Sequence, residues 1–189
     1  MHVLPNVFRS GALVSESYLR IGDDAGLAGD EQTAALRADV LLVPVASWGT
    51  PALLSRVPTN ETAQRVGVFI QPADVDDDVL PKLLDAPVVA IDFPKFTDGR
   101  GYSVARSLRD RLGYSGELLA TGDVLIDQIP LMVRCGFDAF SISHGPTVSA
   151  LKSGAFKGLD HIYQAPDAGR QWQRRARSSD FAAVAGEPV

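Results

Sequence analysis

Five apolar runs of strand length recur along the middle of the chain, and they constrain the fold more than any other feature. The runs are nearly continuous rather than alternating, as expected of strands that are buried on both faces of a parallel sheet. Strands that alternate with helical patterns predict an α/β fold with about five parallel strands and right-handed crossovers. The five runs are residues 40–45, 66–70, 88–93, 118–121 and 139–142.

Two segments between these runs carry helical signals. Residues 74–86, "DVDDDVLPKLLDA", open with acidic side chains, which stabilise a helix N-terminus, and Pro81 falls early enough to be tolerated in a first turn. Residues 102–113 place apolar side chains at i, i+4 and i+8, and Gly113 follows as a stop signal. Both segments are therefore predicted to be amphipathic helices.

A third helical pattern covers residues 123–136, "DVLIDQIPLMVRCG". Asp123 is the candidate N-cap, Pro130 is a candidate kink, and Gly136 is the expected stop. With this helix the βα alternation extends through the last apolar run. The pattern fits either an open three-layer sheet or an incomplete barrel, and the sequence alone does not separate the two.

The N-terminal part breaks the βα rhythm. Apolar positions alternate along residues 6–21, around Ser10 and Gly11, and this pattern predicts a small β-hairpin. Residues 161–166, "HIYQAP", fit a last short strand at an edge. We therefore expect one α/β domain over residues 1–166.

Residues 167–189 change character and are predicted to form a flexible tail. The segment is polar and shows no clear periodicity. It is also rich in arginine, so contact with an acidic partner is the alternative to a solvated tail. The arginines at its centre are Arg170, Arg174, Arg175 and Arg177.

Composition limits the function classes. The net charge of −5 argues against a nucleic-acid-binding protein, which usually carries a basic excess. No apolar run approaches the roughly 18 residues that span a bilayer, and no export signal is recognised, so we expect a cytoplasmic protein without a membrane partner. The only cysteine is Cys135, whereas an iron–sulfur cluster takes about four thiolates, so the chain cannot hold such a cluster alone.

Polar side chains follow three successive strands of the predicted sheet. In parallel α/β sheets, ligands bind beyond the carboxyl ends of the strands. Asp98 follows the run at 88–93, Asp123 follows the next run, and His144 follows the run after that. These three are the candidate catalytic residues, although a surface loop histidine is the alternative interpretation of His144.

The segment "DFPKFTDGRGYSV" suits an anion. Glycines permit close backbone approach at a helix start, where N–H groups carry positive potential, and arginine can grip an oxyanion with two hydrogen bonds. The alternative is an ordinary turn closed by a surface ion pair. The candidate ligand-binding residues are Lys95, Asp98, Gly99, Arg100, Tyr102, Ser103, Asp127 and Gln128.

No cofactor is indicated by the sequence. "GRGYSV" supplies two glycines of the dinucleotide fingerprint, but Val104 stands where the third should be, and the turn does not come directly off the strand. No His, Cys and carboxylate spacing indicates a metal site. Trp48, before Gly49, either forms an apolar wall beside the strand ends or packs in the core.

Residues 91–140, "IDFPKFTDGRGYSVARSLRDRLGYSGELLATGDVLIDQIPLMVRCGFDAF", resemble the core of a bacterial family of unknown function. Members of that family are often labelled as oxidoreductases of sulfite reduction because their genes lie beside sulfite reductase. The resemblance extends more weakly to the N-terminal hairpin, to "RVGVFIQPADVD" and to "IYQAP", whereas the arginine-rich tail departs from the family pattern. The matching motif positions are Phe93, Lys95, Phe96, Asp98, Gly99, Arg100, Tyr102, Ser103, Arg106, Arg109, Gly122, Asp123, Asp127, Gln128, Arg134, Cys135, Gly136 and Asp138.

The resemblance implies a cytosolic role in assimilatory sulfate and sulfite reduction. Because the chain has one cysteine and no dinucleotide fingerprint, it cannot itself be the siroheme and iron–sulfur reductase. Two hypotheses follow. In the first, the chain is an accessory protein that docks on sulfite reductase or another enzyme of sulfate assimilation without carrying its redox centres. In the second, it is a small enzyme or sensor that binds an anion or nucleotide at Lys95 and Arg100.

Overall fold

The structure, a computed structural model, describes residues 2–22, 37–50 and 65–153. The predicted edge strand at residues 161–166, the tail, and the domain boundary between residues 166 and 167 lie outside the described residues. Nine described strands form one mixed sheet, in the spatial order β1-β4-β5-β6-β7-β8-β9-β2-β3. They are β1 (His2–Leu4), β2 (Val7–Arg9), β3 (Ala12–Leu13), β4 (Tyr18–Arg20), β5 (Val40–Pro44), β6 (Arg65–Ile70), β7 (Val88–Phe93), β8 (Glu117–Gly122) and β9 (Ala139–Ser141).

The five strands predicted from the apolar runs are confirmed, to within one or two residues at each end, as β5 to β9. Neighbours in the series β4 to β9 pair in parallel, so β4 adds a sixth parallel strand that the sequence did not predict. The predicted N-terminal hairpin is confirmed over residues 7–13, where β2 and β3 pair antiparallel across Ser10 and Gly11. Both turn residues have positive φ, 51° and 80°. The end of the predicted segment instead forms β4, which pairs in parallel with β5.

The sheet is curled into a half-barrel, and the N-terminal segment shows why. β1 pairs with β4 at one side of the parallel set, and β2 pairs with β9 at the other side. In a flat sheet, seven strand spacings of about 4.8 Å would put β1 about 34 Å from β2. Only Pro5 and Asn6 separate these strands, and three residue steps reach about 11 Å at most. The incomplete barrel, and not the open sheet, is therefore the arrangement found.

Two apolar layers follow from the curl. Side chains that point into the half-barrel form one cluster, with members on strands from β1 to β9, and side chains that point outward pack against the helices. In the inner cluster, β7 and β9 contribute the small side chains of Ala90 and Ala139, whereas β4 and β6 contribute the bulky rings of Tyr18 and Phe69. Its buried residues are Leu4, Val7, Tyr18, Val40, Leu42, Phe69, Val88, Ala90, Leu119 and Ala139.

Charged side chains close the half-barrel at the amino ends of the parallel strands. Glu117 begins β8 with a side chain only 10 % exposed, and it accepts hydrogen bonds from Arg9 at 2.9 Å, Arg65 at 3.2 Å and the Tyr18 hydroxyl at 2.8 Å. Glu16 pairs with the same two arginines, at 2.7 and 2.8 Å. Two arginines therefore balance two glutamates, and the cluster ties β2, β4, β6 and β8 together.

Three α-helices cover the outer face within the described residues: α1 (Arg100–Arg106), α2 (Ile129–Cys135) and α3 (Gly145–Lys152). α1 continues as a π-helical turn over Ser107–Arg111, and Gly113 follows with φ 69°, so the predicted helix and its stop are confirmed. None of the helices in the described ranges is long and apolar enough to cross a bilayer.

Two helix predictions need correction. Residues 74–86 form no α-helix: two 3₁₀ turns, Pro72–Asp74 and Leu80–Leu83, flank an aspartate turn. The Asp76 carboxylate accepts the N–H groups of Asp78 at 3.0 Å and Val79 at 2.9 Å, which competes with helical hydrogen bonding.

The second correction concerns the start of α2. The helix begins at Ile129 and not after Asp123, and Pro130 lies in its first turn, where proline causes no kink. The predicted stop is confirmed, because Gly136 has φ 106°. A Cβ at that position would also lie 2.5 Å from the Arg109 side chain, so only glycine fits.

Candidate functional site

The three strands that carry the predicted site residues are neighbours. β7, β8 and β9 pair in parallel, so the loops after Phe93, Gly122 and Ser141 leave the same edge of the sheet. The sequence-based expectation that these loops share one rim is therefore met at the level of the strands.

Arg100 and Asp98 are paired with each other on this rim. The Arg100 guanidinium donates to both carboxylate oxygens, at 2.9 and 2.6 Å, and the Arg100 backbone N–H donates to the same carboxylate at 3.1 Å. The hydrogen bonds from Arg100 lower the pKa of Asp98 to about 2. The arginine side chain is 60 % exposed, but its donors on this side are already satisfied by Asp98.

Asp123 and Gln128 hold the loop that follows β7. The Asp123 carboxylate accepts the Phe96 N–H at 3.1 Å, and the Gln128 amide donates to the Phe96 carbonyl at 2.6 Å. The Gln128 side-chain oxygen in turn accepts the Leu125 N–H at 3.2 Å. The two side chains therefore fix the backbone of Phe96 from both sides, and Asp123 braces this loop where the sequence predicted a helix cap.

The remaining predicted residues are distributed around this loop. Lys95, Gly99 and Ser103 are exposed, as is Asp127. The Tyr102 ring packs edge-on against the ring of Phe93 with centroids 5.3 Å apart, and burial raises the pKa of its hydroxyl. Ligand binding or catalysis by these residues stays a prediction.

His144 precedes α3, and its ring is bound locally. The imidazole Nδ1 and the Thr147 hydroxyl are 2.9 Å apart, and the His144 carbonyl accepts the Val148 N–H at 3.1 Å. His144 is exposed whereas Thr147 is buried. The histidine therefore stabilises the first turn of α3, and its catalytic role stays a prediction.

An exposed apolar pair accompanies the braced loop. Phe96 is 50 % exposed and Leu131 is 46 % exposed, although both are large hydrophobic side chains. Leu131 lies one turn after Gln128 on α2, on the same side of the helix as the amide that holds Phe96. We call Phe96, Leu131 and the adjacent Lys95 the Phe96 surface.

Arg109 explains part of the family pattern in structural terms. Its side chain is 2 % exposed and donates to the carbonyls of Gly136 at 2.9 Å, Tyr114 at 2.7 Å and Gly116 at 2.8 Å. It also donates to the Asp138 carboxylate at 2.5 Å. One buried guanidinium therefore joins the end of the first helix to the turns that lead into β8 and β9.

Sequence reasoning missed Asp92, which faces the inside of the half-barrel near the carboxyl end of β7. The Thr121 hydroxyl on β8 donates to its carboxylate at 3.1 Å. Gly122 allows this approach, since a Cβ there would lie 2.8 Å from the same carboxylate oxygen. The sequence feature that could have pointed to Asp92 is a single acidic residue within the otherwise apolar run "VVAIDF".

A cavity at the carboxyl ends of β5 and β6 was also missed. Its volume is about 870 Å³, and Trp48 forms part of its wall. Trp48 also packs against the hydrophobic core, so both interpretations of that residue hold in part. The described cavity therefore lies beside β5 and β6, whereas the predicted site residues follow β7, β8 and β9. Its lining residues are Arg20, Pro44, Val45, Ala46, Trp48, Gly49, Thr50, Phe69, Gln71, Asp74, Val79, Lys82 and Asp85.

The described residues contain no group of three or more His, Cys, Asp or Glu side chains arranged to hold a metal ion. Cys135 is buried, and burial raises the pKa of its thiol, which disfavours the thiolate needed of a nucleophile.

Comparison with known proteins places these features in a family. No curated protein matches the chain. The model of a family described as a bacterial protein of unknown function (DUF934) matches residues 67–172, which include β6 from its third residue onward, β7 to β9 and all three described helices. The chain therefore belongs to this bacterial family of unknown function, DUF934.

Proposed function

We propose that the protein is a cytosolic accessory factor of assimilatory sulfite reduction, which docks on sulfite reductase or another enzyme of that pathway through the Phe96 surface. The observation that carries this proposal is the exposed Phe96 ring on a loop that Asp123 and Gln128 hold in place. The pathway comes from the resemblance of residues 91–140 to proteins whose genes lie beside sulfite reductase.

The Phe96 surface has the properties of a protein-binding site. Aromatic side chains are enriched at the centres of interfaces, where one or two of them supply most of the binding energy. A loop already fixed by hydrogen bonds loses little conformational entropy on binding. Lys95 and the Asp98–Arg100 pair provide polar groups for the rim.

An accessory role agrees with the cysteine content. The chain has one cysteine, and it is buried, whereas an iron–sulfur cluster takes about four thiolates. In the proposed assembly such a cluster belongs to the partner enzyme, and the protein contributes a surface.

The alternative, a small enzyme or sensor that binds an anion or nucleotide at Lys95 and Arg100, takes second place. An anion at this position has to compete with Asp98, which already accepts two guanidinium hydrogen bonds at 2.9 and 2.6 Å. Binding there therefore requires the ion pair to open.

Growth of a deletion strain tests the pathway. We expect slow growth on sulfate and on sulfite and normal growth on cysteine, because only cysteine bypasses the reductase. Normal growth on all three sulfur sources would place the protein outside the pathway.

Complementation of the same strain tests the Phe96 surface. Leu131→Ser is expected to restore growth poorly, whereas Leu84→Ser is expected to restore it fully. Leu84 is a matched control because it is exposed to a similar degree, 40 % against 46 %, but lies away from the braced loop, after β6. Equal complementation by both variants would remove the Phe96 surface from the proposal.

A further inference from the structure

The cavity beside Trp48 has the position and size of a ligand site. It opens at the carboxyl ends of parallel strands β5 and β6, the end at which α/β sheets bind ligands. Its volume of about 870 Å³ lies within the range of roughly 300–1,000 Å³ typical of small-molecule pockets. An inorganic oxyanion would occupy only a small part of it.

Half-buried Arg20 and buried Phe69 lie against each other in the lining. Arg20 is the last residue of β4 and lies two residues after Tyr18, so it points to the inside of the half-barrel. Its guanidinium carbon lies 3.5 Å from the centroid of the Phe69 ring. Phe69 is 4 % exposed, so the ring gives the guanidinium a rigid support.

Within the part of the chain that the structure describes, the guanidinium of Arg20 has unused donors. Among the described residues it pairs with no carboxylate and makes no hydrogen bond, and its contact with Phe69 is a stacking contact. A stacked guanidinium keeps its N–H groups in its own plane, at the edge, where a carboxylate, sulfonate or phosphate can accept two of them. This is the arrangement that binds an anion.

Trp48 supplies a fixed apolar wall. Its indole N–H donates to the Lys82 carbonyl at 2.9 Å, and its backbone N–H donates to the Val45 carbonyl at 3.1 Å. The indole bond connects the turn after β5 to the 3₁₀ turn Leu80–Leu83 and orients the ring, and the backbone bond closes the turn after β5. Pro44 and Val79 extend the apolar lining.

The exposed part of the lining is polar and mixed in sign. Gln71, Asp74, Lys82 and Asp85 are all exposed, and their formal charges sum to −1. Among the lining residues the cation Arg20 is half-buried, whereas the carboxylates of Asp74 and Asp85 are exposed.

We propose that this cavity binds an organic anion with a flat, apolar body. Arg20 holds the carboxylate, sulfonate or phosphate by two hydrogen bonds, the body of the ligand lies against Trp48, and the outer end contacts the polar groups. The site is separate from the Phe96 surface, so this proposal does not depend on the docking proposal.

Trp48 fluorescence provides the readout. The chain contains one other tryptophan, Trp172, so a Trp172→Phe protein reports on Trp48 alone. This protein is titrated with two matched pairs, adenosine 5′-monophosphate against adenosine and benzoate against benzamide, and with inorganic phosphate. Isothermal titration of the full-length parent protein with the same compounds gives an independent measure of binding.

The proposal predicts saturable binding of at least one organic anion, with its neutral counterpart and inorganic phosphate bound about tenfold more weakly or worse. Binding of neither anion, or equal binding of an anion and its neutral counterpart, would overturn it. Inorganic phosphate bound as tightly as the monophosphate would overturn the role of the apolar body.

Two variants locate the anion. Arg20→Met is expected to weaken binding about tenfold or more, and Arg20→Lys is expected to weaken it less, because lysine keeps the charge but loses the planar fork. Arg106→Met serves as the control, since Arg106 is 53 % exposed and pairs with Asp110 on the outer helix layer. Unfolding curves establish that each variant is folded, and unchanged affinity in a folded Arg20→Met protein would contradict the proposed site.

Discussion

Replacement of Arg109 by methionine should destabilise the fold far more than the same change at Arg106, three residues earlier along the helix. Methionine matches the arginine side chain as far as Nε, so the change removes the hydrogen-bonding guanidinium and keeps the apolar stem. The Arg109 side chain is 2 % exposed and makes three hydrogen bonds to backbone carbonyls, at 2.9, 2.7 and 2.8 Å, besides the ion pair with Asp138.

The magnitude follows from these partners. Each buried carbonyl left without a donor costs about 1–3 kcal/mol, and water can reach the acceptors that are only partly buried. Asp138 is 36 % exposed and keeps the Leu118 N–H as a donor at 2.8 Å, which limits the cost of losing its cation. We therefore expect a loss of about 4–6 kcal/mol in the free energy of unfolding, out of a typical total of 5–15 kcal/mol.

Urea unfolding at pH 7, followed by far-ultraviolet circular dichroism, measures this loss. Arg106→Met is the matched control: it makes the same change in the same helix, where the arginine is 53 % exposed and forms an i, i+4 pair worth about 0.3–0.5 kcal/mol. If Arg109→Met does not fold, Arg109→Lys keeps the charge but cannot reach all four acceptors, and an intermediate loss is expected. Losses within about 1 kcal/mol of the Arg106 control for both variants would refute the reasoning.

Three further predictions follow from other parts of the fold. Hydrogen bonding to Arg9 lowers the pKa of Glu16 from its ordinary 4.5, so the stability that Glu16 contributes is present above pH 4.5 and is lost as the pH falls through its folded-state pKa. Glu16→Gln should therefore reduce the loss of unfolding free energy at acid pH, and the same acid dependence in the variant and the parent would contradict this. A Cβ at Gly101 would lie 2.6 Å from the fully buried Phe93 ring, so Gly101→Ala should cost about 1–3 kcal/mol in urea unfolding, and a neutral effect would show that the ring can move. Cys135 is buried with a raised thiol pKa, so iodoacetamide should modify it far more slowly in the native protein than in urea, and equal rates would show that it is accessible.

The strands could be read from the sequence because each is a continuous apolar run buried on both faces. β1 and the parallel pairing of β4 were not predicted, because each depends on a partner distant in the sequence: β1 pairs with β4, and β4 pairs with β5. The curl depends on β1 and β2 pairing at opposite sides of the parallel set, which no local pattern encodes. The aspartate-rich segment was misread because side-chain acceptors can close a turn as readily as they cap a helix.

The rim of the candidate site was predictable only in outline. The rule that loops follow the carboxyl ends of strands brought Asp98, Asp123 and His144 to one edge. What each side chain contacts depends on tertiary geometry: Asp98 binds Arg100, Asp123 binds a loop N–H, and His144 binds Thr147. The cavity depends on the stacking of Arg20 on Phe69, residues 49 positions apart in the sequence.

Direct binding tests the docking account. Sedimentation velocity of the purified protein mixed with sulfite reductase from the same organism, at micromolar concentrations, should show a faster-sedimenting complex. That complex should be lost with Phe96→Ser and retained with Leu84→Ser, both exposed apolar side chains in the parent. Independent sedimentation of the two proteins, or a complex that Phe96→Ser leaves unchanged, would contradict the account.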